Sequence, residues 1–122
     1  MSKYDLRIIT ESKKLFSYIV TITIKSPVKY RYTFVSKMHN LCMEIVENLY
    51  YANEIALGDG RRKEYQRTAL IKLRLLDYVC EAAKEALCIT SKQYEFIVRC
   101  ILSCINLLNG WILSDDQRCD NL

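Results

Sequence analysis

Turn-forming residues are nearly missing from this chain. Pro27, Gly58, Gly60 and Gly110 are its only proline and glycines in 122 residues. An all-β fold needs a turn about every 8–12 residues, and four such residues do not supply them. The long stretches between are therefore read as helices, and their apolar residues recur at helical spacing.

Four segments follow. The first covers about residues 4–24, with Leu6, Ile9, Phe16, Ile19, Val20 and Thr23 on one side and Ile8, Leu15 and Ile22 as a second stripe. Its β-branched end, Tyr18 to Ile24, reads alone as a strand, but the helical period begins well before it and no hairpin partner follows. Ser26-Pro27 stops the segment, because the residue before proline is pushed out of the α region. The second segment covers about 32–57, with Phe34, Met38, Leu41, Ile45, Leu49, Ala52 and Ala56 in phase. Gly58-Asp59-Gly60 ends it as a turn.

The third segment covers about 61–88. Ala69, Leu73, Leu76, Cys80, Ala83 and Leu87 form one stripe, while Leu70, Ile71, Leu75 and Tyr78 lie off it. A helix apolar on two faces needs two partners, one within the chain and one outside. Those four residues are therefore candidates for an interface between copies. Thr90 and Gln93 form a capping box. The fourth helix runs from about 91 to 113 on Tyr94, Ile97, Val98, Ile101, Ile105, Leu108 and Ile112, with 114–122 as a frayed tail. Short connections make neighbours antiparallel, so the expected fold is an all-α, up-down-up-down four-helix bundle in a single domain, 1–122. A chain of this length buries roughly two-thirds of its unfolded surface, which is enough for one core.

No catalytic constellation emerges. His39 is the only histidine, and Walker, GxGxxG, GxSxG and HExxH patterns do not occur. Glu44-x-x-Glu47 is followed by no histidine of the kind a bundle di-iron site uses. Cys42, Cys80, Cys88, Cys100, Cys104 and Cys119 contain no CxxC, and zinc sites are normally built from two such pairs or a histidine pair. No cofactor or metal is expected. A metal- or thiol-dependent enzyme on the bundle is the weakest reading. The start of the chain carries no apolar leader, and Cys100 to Ser114 falls short of the roughly 18–20 apolar residues that span a bilayer. The expectation is a cytoplasmic protein with reduced thiols and no membrane partner.

Charge carries the remaining signal. The net value is +4, but residues 1–37 hold eight Lys/Arg against two acids, while 38–60 hold four acids and no base. Residues 61–74 hold six bases against one acid, and 75–122 four bases against seven acids. Lys13, Lys14, Lys25, Lys29, Arg31, Arg61, Arg62, Lys63, Arg67, Lys72 and Arg74 are the candidate nucleic-acid contacts. Tyr30, Tyr32, Tyr50, Tyr51 and Tyr65 among them offer rings for stacking.

Several stretches carry a family likeness. They are Arg31-Tyr-Thr-Phe-Val-Ser-Lys37, Asn48-Leu-Tyr-Tyr-Ala-Asn-Glu54, Tyr65-Gln-Arg67, Thr90-x-x-Gln93-Tyr and Leu107-Leu-Asn-Gly-Trp-Ile112. From about Lys3 to Leu113 the chain resembles a family of small bacterial four-helix-bundle proteins. That family includes the accessory variability determinant of diversity-generating retroelements, and its relatives are encoded in intervening sequences of 23S ribosomal RNA genes. The resemblance implies a homopentameric ring with a basic surface. It also implies a non-enzymatic accessory role, in which the protein binds RNA or DNA and the element's reverse transcriptase during mutagenic copying. A ring would cover the second apolar face of the third helix, and Gly110 would let Trp111 meet a neighbouring copy. The alternatives are an intervening-sequence protein of unknown role and a purely protein-binding oligomeric adaptor.

Overall fold

The computed structural model describes residues 3–121, with side chains from Arg7 to Asn121. Leu6, assigned to the first stripe, lies outside the described side chains, and Leu122 lies outside the described residues. The described chain is all-helical: α1 (Lys3–Thr23), a single turn α2 (Val28–Tyr30), a π-helical stretch (Arg31–Val35), α3 (Ser36–Glu54), α4 (Gly60–Glu85) and α5 (Ser91–Asp120). Each long helix packs on the next, and α5 returns to α1, which closes an up-down-up-down bundle.

Local chemistry sets the helix ends. In the β-branched end of α1, Thr21 and Thr23 donate their hydroxyls back to the carbonyls of Ser17 and Ile19, at 2.8 and 2.6 Å, so both are satisfied within the helix. The second helix begins at Val28, directly after Pro27, so it starts earlier than the period of apolar residues indicates. Its π-turn inserts an extra residue and buries Val35 while Phe34 stays half-buried. Ile55 leaves α3 in an extended conformation, Gly58 adopts a left-handed one, and the Asp59 carboxylate caps α4 by accepting from the Arg61 N–H at 3.0 Å. The Thr90–Gln93 capping box forms as expected, with bonds of 3.0 and 2.9 Å.

The core places Met38, Leu41, Ile45 and Leu49 of α3 against Leu73 and Leu76 of α4, with Ile97, Ile101 and Leu108 from α5. Four expectations change. Leu87, placed on the third stripe, lies beyond the end of α4 and is exposed. The buried side of α1 draws on both stripes, Ile9, Ile19 and Thr23 from the first and Ile8 and Leu15 from the second, because the core phase runs through Ser12. Ala56, placed on the second stripe, is exposed beyond the end of α3. The tail is not frayed, since α5 continues to Asp120. By length and composition α5 is also long and apolar enough to cross a membrane, with mean hydropathy 1.8 over its most apolar window. In the bundle it is a core helix with Ile97, Ile101, Cys104, Leu108 and Trp111 buried.

Candidate nucleic-acid interface

The eleven basic candidates divide into three groups once their partners are known. Arg62 is buried, so it is not a surface contact. Lys14, Arg61, Lys63 and Lys72 pair with carboxylates of the same chain. Lys14 reaches Glu11 at 3.4 Å, Arg61 reaches Asp59 at 2.7 Å, Lys72 reaches Glu44 at 2.8 Å, and Lys63 contacts Asp116. Arg61 donates to Asp59 from both its side chain and its backbone, and these bonds hold the Asp59 carboxyl down at about 2. Lys13, Lys25, Lys29, Arg31, Arg67 and Arg74 are exposed and, among the described residues, lack a carboxylate partner.

These six occupy three places. Lys13 on α1 contacts the Tyr50 hydroxyl of α3 and lies 4.9 Å from that ring's centroid. Lys25, Lys29 and Arg31 surround the passage from α1 to α2, and Lys29 sits 5.0 Å over the Tyr30 ring. Arg67 and Arg74 are two turns apart on the outer face of α4, in phase with exposed Ile71 and Tyr78. Tyr51 and Tyr65, with centroids 5.3 Å apart, bridge α3 and α4. Aromatic rings beside unpaired cations are suited to phosphates and stacked bases.

The interface candidates also divide. Ile71, Leu75 and Tyr78 are exposed, but Leu70 packs half-buried against the core. Trp111 is fully buried, so it cannot meet a neighbouring copy; its ring lies under the Arg62 guanidinium at 5.2 Å.

Arg62 belongs to a polar cluster that the apolar periodicity does not reveal. Its Nε and Nη2 donate to the two Asp115 oxygens at 2.7 and 3.1 Å, and its Nη1 donates to the Ile55 carbonyl at 3.0 Å. Gln66 Nε2 donates to Asp115 at 2.9 Å. A cavity of about 220 Å³ adjoins the cluster, lined by Gly58, Asp59, Lys63, Gln66, Asp116 and Cys119 among others. Among the described side chains, Gln66 Oε1 and Trp111 Nε1 are buried without a protein partner. The charged groups here neutralise one another and join the ends of α3, α4 and α5.

The thiols are poorly suited to nucleophilic work. Burial pushes Cys80 up to about 12 and Cys104 to about 11, and it raises Cys42 further still. His39 is half-buried and held below its ordinary value by that burial. The Thr23 hydroxyl proton points to the Ile19 carbonyl, so His39 Nε2–H donates to Thr23 Oγ1 at 2.9 Å.

No family model matches the sequence, and no curated protein matches it. The fold is similar to the crystal structure of a protein of unknown function from the S23 ribosomal protein family of Bacteroides thetaiotaomicron. The TM-score is 0.76 at 19% identity, over 89% of this chain and 97% of that one. At that identity the likeness is one of fold: the chain is a four-helix bundle built like an S23-family protein.

Proposed function

We propose that this chain is a non-enzymatic, oligomeric RNA-binding bundle of the 23S rRNA intervening-sequence kind, working in the cytoplasm. The fold likeness supports the kind, since it extends over nearly the whole of both chains. The observation that carries the binding role is the set of six exposed cations without carboxylate partners, interleaved with tyrosines. Such a surface binds a polyanion by releasing counterions and reads little sequence. The exposed Ile71, Leu75 and Tyr78 favour a protein neighbour beside the RNA. In the first instance that neighbour is another copy, with a pentameric ring as the expected assembly.

The retroelement reading uses the same surfaces, with a reverse transcriptase as the neighbour and its template as the RNA. Purified reverse transcriptase from a retroelement tests that version directly: co-elution with this chain supports it, and separate elution leaves the intervening-sequence reading.

Fluorescence anisotropy with a structured RNA, repeated over a salt series, tests the shared core of both readings. Changing Lys13, Arg67 and Arg74 together to glutamine should weaken binding to all sequences alike while the assembly mass by light scattering stays unchanged. The log–log salt slope should flatten by roughly 0.7–0.9 for every phosphate that the variant no longer neutralises. Unchanged affinity and slope in the folded triple variant would exclude this surface as the RNA site.

A further inference from the structure

The end of the bundle where α1 passes to α2 and α4 passes to α5 is apolar at its tip and cationic around it. Ile24, Val28, Tyr32 and Leu87 are each more than 60% exposed there. The two connections form one unit, because the Tyr30 hydroxyl donates to the Ala86 carbonyl at 2.7 Å, and a shared concavity brings Lys25 and Pro27 beside Leu87 and Cys88.

Leu87 carries two penalties at once. The Cys88 N–H donates to the Ala83 carbonyl at 2.8 Å and the Leu87 N–H to the Lys84 carbonyl at 3.0 Å. This is a Schellman cap with Leu87 at the left-handed position, φ +65°. Glycine usually occupies that position, because a Cβ there crowds the following carbonyl. The leucine is also 85% exposed, so its side chain gains nothing from the monomer. The two cap hydrogen bonds go toward the first cost within the fold, whereas only a partner that takes up the side chain would offset the second.

The charge at this end identifies the partner. Residues 24–37 and 86–94 contain Lys25, Lys29, Arg31, Lys37 and Lys92 and no Asp or Glu; of the acids that flank them, Glu85 pairs with Lys84 at 3.4 Å and Glu95 lies a turn into α5. All five are exposed, and none is ion-paired among the described residues. RNA would take the cations but has nothing to offer Ile24, Val28 and Leu87. A protein partner would need acidic groups placed opposite cations spread over both connections. A headgroup layer conforms to such a tip, accepts aliphatic side chains at the acyl boundary, holds a tyrosine at the interface and supplies phosphates to the cations. We propose that this end of the bundle docks on an anionic lipid surface, with Ile24, Val28 and Leu87 entering the headgroup layer and Lys25, Lys29 and Arg31 on the lipid phosphates. This role shares Lys25, Lys29 and Arg31 with the RNA reading but stands on the exposed apolar tip, which that reading does not use.

Co-sedimentation of the full chain with vesicles tests it, comparing phosphatidylcholine alone with a mixture containing about 30% phosphatidylserine. Binding is expected to the mixed vesicles only, with loss at about 0.5 M salt. Leu87→Gly is the informative variant, because glycine suits the left-handed cap. Its thermal midpoint should hold or rise, while its vesicle binding falls about tenfold. Its RNA affinity should not change. Lys25, Lys29 and Arg31 changed together to glutamine should abolish sedimentation in a folded protein. Three results would each overturn the proposal: no sedimentation with the mixed vesicles, full binding by folded Leu87→Gly, or a parallel loss of RNA affinity in that variant, which would give the tip to RNA.

Discussion

Arg62 at the start of α4 and Asp115 near the end of α5 meet side-on through two hydrogen bonds of 2.7 and 3.1 Å, both side chains more than 90% buried. The same guanidinium takes the open carbonyl of Ile55, so one side chain ties together three helix ends. A buried pair is not in itself stabilising, but removing one partner leaves the other charged and desolvated. Arg62→Ala and Asp115→Ala should each cost about 3–5 kcal/mol in urea denaturation. The double variant should cost much less than the sum, because no charge is then stranded. Additive losses would show that the two side chains act independently.

Polar residues on the core phase explain where the sequence is legible and where it is not. The apolar stripe of α4, read backward from Leu76 through Leu73 and Ala69, arrives at Gln66 and Arg62. The stripe of α5, read forward from Leu108, arrives at Trp111 and Asp115. Both continuations keep helical period, but an apolar-only reading ends the fourth helix at 113 and treats Arg62 like its neighbours Arg61 and Lys63. Ser12 has the same effect in α1: it interrupts the core phase of Ile8, Leu15 and Ile19, so apolar residues alone split the buried side into two stripes. Where the core phase is purely apolar, as from Met38 to Leu49, sequence and structure agree. Pro27, the Gly58 turn and the Thr90 box are legible because each acts within a few residues. The ion pairs that neutralise Lys63 and Lys72 are not, because their partners lie 53 and 28 residues away.

His39 gives stability a dependence on pH near neutrality. Burial lowers its pKa in the folded state below the ordinary 6.5. Between the two values the unfolded chain holds more protons than the folded one, so stability rises with pH. The contribution is therefore complete above 6.5 and declines as pH falls through 6.5 toward the lowered folded value. Urea midpoints between about pH 5 and pH 7.5 should fall on acidification, and His39→Gln should reduce that fall. Parallel curves for the two proteins would assign the slope to other groups.

The six thiols should separate into two classes under an aromatic disulfide reagent. Cys42, Cys80 and Cys104 are buried, while Cys88, Cys100 and Cys119 are half-buried. Burial also raises the pKa values of the first three, so their thiolate is scarce as well as inaccessible. The native protein should expose at most three thiols at neutral pH, and all six should react in denaturant. Rapid native reaction of more than three would mean that the core opens readily.

Ile71 provides the test of assembly, because its side chain contributes to the outer face of α4 and almost nothing to the core. It is 58% exposed, in phase with Tyr78 and flanked by Arg67 and Arg74, whereas Leu73 on the same helix is completely buried. If copies associate through this face, light scattering at micromolar concentration should give a multiple of the 14.3 kDa chain mass. Ile71→Glu should lower that mass, since it replaces an apolar contact with a charge that must be desolvated on association, even with Arg67 and Arg74 beside it. The monomer's stability should change by no more than about 0.5 kcal/mol, as for other exposed substitutions. Leu73→Ala is the converse control: it should cost about 2–5 kcal/mol through a core cavity and leave the mass of the folded protein unchanged. A wild-type mass equal to one chain would remove the oligomer from the proposed function. The outer face of α4 would then be open to a partner of a different kind.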